Sequence, residues 1–311
     1  MESAKLLLKN NLVWFILIFL SITWGSSFIL MKKGLESFSA IEVASLRIFA
    51  AFVFFVPFAV SRIKYVKKKH IKSLLIVGFI GNAIPAILFT KAQTHVSSAM
   101  AGMLNGLTPF FVFIVGLIFY KSTTRWFNAL GIFIGLIGAG LLVGLNSKGG
   151  IHGELFFVLL IVLATLFYGF NTNEIKNNLS DLDGITIASI AFLFIGPLAA
   201  VILFSQGFAN HLHTSEQFIN FFYIIILALF SSVLAAVAFN LFIKRTNAII
   251  ASSVTYLIPI VSTFWGISDG ETVTISQVLC ISVILFGVWL VNKKDIQKKS
   301  ETVTVIQKKD N

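Results

Sequence analysis

The stretch 97–119, SSAMAGMLNGLTPFFVFIVGLIF, decides the fold. It carries no charged residue, and its 23 residues suffice to cross the hydrocarbon core of a bilayer as a helix, which takes about 20. A segment at that depth must satisfy its own backbone N–H and C=O groups, so a helix is the expected conformation. Nine further stretches of the same character accompany it: 12–31, 40–61, 71–89, 126–145, 153–173, 184–204, 218–242, 249–268 and 273–292. Short polar loops separate them. The 311 residues are 57% hydrophobic and only 12% charged, with a mean hydropathy of +0.92. These ten stretches predict an all-α polytopic membrane protein with no room for a separate soluble domain.

The same stretch reveals a duplication. Leu104–Pro109 (LNGLTP) is echoed by Val254–Pro259 (VTYLIP), 150 positions on. Trp24-Gly25, followed by Lys32 and Leu35, is echoed at an offset of 144 by Tyr168-Gly169, followed by Lys176 and Leu179. The repeat unit is five helices. Five is odd, so the second copy enters the membrane upside down relative to the first. The expected layout is an N-tail over 1–11, a first repeat over 12–146, a second over 152–292 and a basic C-tail over 293–311. Inverted repeats mark secondary transporters, with the substrate site at the repeat interface near the midplane. Pro109 and Pro259 sit mid-span at equivalent positions, where a missing N–H and a ring clash kink a helix; they are expected to act as gating hinges.

Charge sets the orientation. Nineteen of the 24 Lys and Arg fall in the N-tail, in the loops after even-numbered stretches and in the C-tail. Only Lys32, Lys33, Lys91 and Lys148 fall on the other face. The positive-inside rule then places both termini in the cytoplasm of a multi-pass protein of the cell (inner) membrane. It also accounts for the net charge of +11 without a nucleic-acid partner. Inversion is visible in the loops: Lys121 and Arg125 follow the fourth stretch, whereas Asp269 and Glu271 follow its counterpart, the ninth. Lys5 and Lys9 ahead of an apolar run imitate a secretory signal, but that run exceeds the usual 7–15 residues and reads as a retained helix. Cys280 is the sole cysteine, inside the tenth stretch. No disulfide framework, metal site or cofactor is expected.

Taken together these motifs resemble the EamA family of the drug/metabolite transporter superfamily. The matching pieces are Trp24-Gly25-Ser26-Ser27-Phe28, Arg47 within SLRIFAAFVFFVP, Leu107-Thr108-Pro109, Tyr256-Leu257-Ile258-Pro259, Gly270-Glu271 and Gly287. The resemblance implies two five-helix repeats that move small organic metabolites, often amino acids or their derivatives and commonly outward. One departure is Tyr120-Lys121, where the family commonly shows Gly-Glu. By the same resemblance, small multidrug exporters carry a glutamate in the middle of helix 1. Here that position reads Ile16-Leu17-Ile18-Phe19-Leu20, so a multidrug-type efflux protein, the second reading, lacks its carboxylate.

Polar side chains at membrane depth are costly and turn toward a cavity or another helix. Trp24, Asn82, Asn105, Tyr168, Asn171, Asn240 and Tyr256 are the expected substrate-binding set: amides to hydrogen-bond a solute and aromatics to stack on it. Interhelical hydrogen bonding and interface anchoring are the competing uses. Arg47 is the one basic residue well inside a stretch; Glu42, five positions earlier, is an imperfect partner, and a structural or gating role is favoured over substrate contact. Glu154 and Glu174 bracket the sixth stretch and are expected at the interface. Gly131-x-x-x-Gly135 with Gly138, and Gly140-x-x-x-Gly144, permit close approach within the chain or in a homodimer. No nucleophile–base pair or ligand cluster that would make an enzyme is present. The expected partners are a small neutral or zwitterionic solute and the lipid bilayer, with the chain a monomer or homodimer; a receptor or scaffold would make no use of the repeat.

Overall fold

The computed structural model describes residues 2–121, 126–146, 151–245, 251 and 253–292. All regular structure among these residues is helical. The helices are α1 (Glu2–Leu35), α2 (Ala40–Arg62), α3 (Lys68–Gly78), α4 (Ile84–Gln93), α5 (Ser98–Asn105), α6 (Thr108–Phe119) and α7 (Trp126–Asn146). Then follow α8 (Ile151–Asn178), α9 (Gly184–Ser205), α10 (Ser215–Leu227), α11 (Ala235–Arg245), α12 (Ile258–Ser268) and α13 (Ile275–Asn292). Seven segments among the described residues are long and apolar enough to cross a membrane: Trp14–Leu35, Ala40–Tyr65, Lys68–Gln93, Ser98–Phe119, Leu155–Asn178, Gly184–Ser205 and Ser215–Arg245. Three shorter apolar helices, Phe133–Leu142, Val254–Ser268 and Ile275–Leu290, accompany them. The basic stretch 293–311, Arg125 and Lys148 lie outside the described residues.

Helix starts follow local capping chemistry. Ser39 accepts the Glu42 N–H at 3.3 Å while the Glu42 carboxylate accepts the Ser39 N–H at 2.8 Å, a reciprocal cap that opens α2. Asp183 opens α9 in the same spirit, accepting the Thr186 N–H at 2.9 Å.

The stretch 97–119 is not one kinked helix. It is two, broken at Gly106-Leu107, with Pro109 in the first turn of α6. A first-turn proline sacrifices no hydrogen bond, because its N–H would have had no partner there. The equivalent break lies 150 positions on: a 3-10 turn over Ser253–Tyr256 precedes Leu257, and Pro259 stands in the first turn of α12. The start of the expected stretch 249–268 lies outside the described residues. Two other long segments are interrupted by π-helical turns, Phe79–Ala83 between α3 and α4 and Ala228–Leu234 between α10 and α11.

Packing is close where glycine allows it. A Cβ on Gly25 would stand 2.5 Å from Val261 Cβ, so α1 presses on α12. A Cβ on Gly169 would stand 2.7 Å from the Phe111 carbonyl carbon, so α8 presses on α6. Gly131, Gly135 and Gly138 of α7 face α13 and α6 inside the chain, while Gly140 has nothing within 4 Å. The perimeter is apolar: Val60 is 71% exposed and Ile118 65%. Such a surface suits hydrocarbon rather than water.

A candidate substrate cavity

α1 to α6, α8, α9 and α11, the two π-helical turns and the turn before α12 contribute to the wall of a cavity of about 110 Å³. Trp24, Arg47, Asn82 and Asn105 reach it from the first half of the chain, and Tyr168, Asn171, Asn240 and Thr255 from the second. No Asp or Glu lines it among the described residues. Phe89 and Tyr168 stack in its wall with centroids 5.9 Å apart, and Trp24 meets Phe239 edge-on at 5.0 Å. Both π-helical turns border it, one through Gly81 and Asn82, the other through Ser231. π-helical turns are frequent at functional sites because the extra residue redirects side chains.

Six of the seven expected binding residues therefore stand around one space, and their hydrogen bonds distinguish them. The Asn82 amide donates to the Val77 carbonyl at 2.8 Å, and that of Asn240 to the Gly184 carbonyl at 3.2 Å. The Trp24 indole N–H donates to the Ser231 carbonyl at 3.2 Å. These three side chains brace backbone as well as border the cavity. Asn105 Oδ1 receives only a long bond, 3.4 Å, from the Thr108 hydroxyl. Asn171 Oδ1 is buried with no partner among the described residues.

Tyr256 departs from expectation. Its hydroxyl donates to the Val288 carbonyl at 3.0 Å, tying the turn before α12 to α13, and the cavity wall beside it is Thr255. Arg47, expected in a structural or gating role, borders the cavity, and its Nε donates to the Ser232 hydroxyl at 2.8 Å. Glu42 does not pair with it; that carboxylate is 2.6 Å from His211 Nδ1. Pro109 and Pro259 lie beside the cavity wall formed by Asn105, Thr108 and Thr255, at the helix breaks just described. Glu174, expected at the interface, is buried among the helices: it accepts from the Tyr120 hydroxyl and, at 2.8 Å, from the Asn178 amide. The Glu154 side chain lies outside the described residues.

Charged clusters close both ends of the bundle. At the end where α1 turns into α2, Lys32 bridges Asp269 at 2.7 Å and Glu271 at 2.8 Å, and Lys33 reaches Asp269 at 2.8 Å. The other Glu271 contacts are with the start of α5: the Ser98 and Ala99 N–H groups and the Ser98 hydroxyl, each at 2.9 Å. Burial pushes the Glu271 carboxyl up, but the Lys32 ammonium and the α5 N–H groups outweigh it and hold it below its ordinary value. Asp269 behaves alike: burial raises it, and the bonds from Lys32 and Lys33 bring it down. At the opposite end Arg62 bridges Asp183 at 2.7 Å, and Asp181 takes Lys69 at 2.7 Å and His70 at 3.0 Å. Sequence reasoning singled out Glu271 through its acidic loop and a family motif, but gave no signal for its pairing with Lys32 and Ser98 or for Ser231 and Ser232.

A helical bundle with an apolar perimeter around a cavity that combines apolar walls with amide, hydroxyl and guanidinium groups has the build of a membrane transporter. The chain belongs to the EamA-like transporter family, whose model matches residues 12–144 and 155–293, within the drug/metabolite transporter superfamily. It is a multi-pass helical membrane transporter. Among its relatives, an uncharacterized transporter of Archaeoglobus fulgidus is 25% identical over 90% of this chain and 99% of its own. The uncharacterized inner membrane transporter YedA of Escherichia coli (strain K12) is 27% identical over 88% of each. A probable terminal-alkyne amino-acid exporter of Streptantibioticus cattleyicolor is 20% identical over 95% of this chain and 98% of its own. One solved crystal structure matches with a TM-score of 0.63 and 14% identity over 90% of this chain and 96% of that one, a likeness of fold alone.

Proposed function

We propose that the chain is a secondary transporter that moves a small amino acid or related neutral or zwitterionic metabolite across the inner membrane by alternating access. One observation carries this reading: side chains from both halves meet around one cavity furnished with amides, aromatic rings and a single guanidinium. Such a lining can hydrogen-bond a polar solute and cover its apolar part. Two relatives support the location and the class through their names, one an inner membrane transporter and the other an amino-acid exporter.

In this reading the seven long spans and three shorter apolar helices make ten, arranged as two inverted five-helix repeats with both termini cytoplasmic. The breaks before Thr108 and Ile258 support it, as do the π-helical turns that begin at Phe79 and Ala228. The exchange of contacts supports it too: α1 meets α12 at Gly25, and α8 meets α6 at Gly169, as a two-fold relation between halves requires. The family match falls in two stretches of nearly equal length.

The test is comparative metabolite profiling of cells with and without the protein, followed by flux of the altered metabolites in proteoliposomes. The reading expects an amino acid or close derivative to change in the medium and to cross liposome membranes only with the protein. Unchanged metabolite pools together with no flux would refute it.

A further inference from the structure

Among the described residues, the cavity holds a cation with no counter-charge. Arg47 remains protonated at any physiological pH, and a charge inside a helical bundle without a partner is costly unless water or an anion compensates it. Among the described residues, the carboxylates on α2, α8 and the cap of α9 are engaged elsewhere. Glu42 takes His211 and the Ser39 N–H, Glu174 takes Tyr120 and Asn178, and Asp183 takes Arg62 and Thr186. No ion pair to Arg47 exists among the described residues.

Geometry fixes which face of the guanidinium is available. Nε is committed to the Ser232 hydroxyl at 2.8 Å, which anchors the plane of the group from the π-helical turn. Both Nη groups have no acceptor among the described residues, and Arg47 borders the cavity. Two parallel N–H bonds from such a fork match the oxygens of a carboxylate. Asn171 also lines the cavity, and its Oδ1 is buried without a partner among the described residues. Its room is made by Gly81, where a Cβ would stand 2.3 Å from that oxygen.

We propose that Arg47 is the carboxylate anchor of the transport site, so that the cavity selects small solutes bearing one carboxylate and rejects their amides and decarboxylated amines. This rests on the transport function proposed above and narrows its substrate class. It also disfavours cationic drugs as cargo, because a second cation would enter beside a fixed positive charge with no acid to offset it.

The test uses a defined probe set: an equimolar mixture of the twenty proteinogenic amino acids, their amino-acid amides and their decarboxylated amines. Proteoliposomes and protein-free liposomes are incubated with it, and trapped solutes are quantified by mass spectrometry. Trapping of free amino acids about tenfold or more above their amides and amines is expected for the wild type. Arg47→Gln should lose that trapping by about tenfold or more, the scale of removing a charge-assisted bond. Arg47→Lys, which keeps the charge but not the fork, should fall between the two and guards against misfolding of the glutamine variant. Amides or amines trapped as well as the acids, or acids trapped unchanged by a folded Arg47→Gln protein, would overturn the anchor while leaving transport intact. No trapping of any probe by wild-type protein would refute the amino-acid transport reading itself, and the anchor with it.

Discussion

At the scale of residues, Glu271 joins the most contacts into one group, and its behaviour with pH has a definite sign. Because the folded carboxyl lies below its ordinary value of 4.5, its stabilisation is fully present above that pH and lost as pH falls through the folded value. Glu271→Gln should therefore lower stability at pH 7 by about 1.5–3 kcal/mol, the worth of hydrogen bonds to a charged group. Thermal unfolding in detergent at pH 7 and pH 4 checks this, with the gap between wild type and variant narrowing at the lower pH. The sequence made six of the cavity side chains legible because amides, indoles and phenols inside apolar stretches are costly without a purpose. It could not show that Asn82 and Asn240 also brace backbone carbonyls, or that the Tyr256 hydroxyl is spent on Val288. A polar group at depth meets the same need by packing or by lining a cavity, and composition does not separate the two. Ser231 and Ser232 were invisible for a related reason, since serine in a membrane helix normally satisfies itself on a nearby carbonyl.

At the scale of elements, the unexpected features are interruptions. The seven long apolar spans were legible from hydropathy, yet hydropathy does not register a π-helical turn, which costs one extra residue and no polarity. The helix breaks were half-legible: Pro109 and Pro259 marked the places, but a first-turn proline ends one helix and begins another rather than bending it. Replacing both with alanine should let helix run through Gly106-Leu107 and past Leu257. The expected outcome is equal or higher thermal stability with at least about a several-fold slower solute exchange, since these breaks flank the cavity. Glycine packing gives a sharper contrast. Gly169→Ala drives a methyl into the Phe111 backbone and should destabilise by about 1–3 kcal/mol. Gly140→Ala meets nothing within 4 Å and should be close to neutral. Parallel thermal unfolding of the two variants decides whether the α6–α8 approach is as tight as described.

At the scale of the whole molecule, orientation and alternating access are the claims with most consequence. In the proposed orientation, with both termini cytoplasmic, the start of α10 faces outward, so Ser215→Cys should react with an impermeant thiol reagent added to intact cells. Labelling only after permeabilisation would reverse the orientation. The background is low, because the sole native cysteine, Cys280, is buried. The central claim, that the cavity between the halves is a path opened in turn to each side, is tested most directly by Ser27→Cys in a Cys280→Ser background. Ser27 lines the cavity and is 6% exposed in this conformation. The modification rate is measured with an impermeant thiol reagent on right-side-out and on inside-out membrane vesicles. Alternating access predicts measurable reaction from both faces, while the buried control with native Cys280 alone stays unreactive. Reaction from neither face, or from one face only, would contradict it.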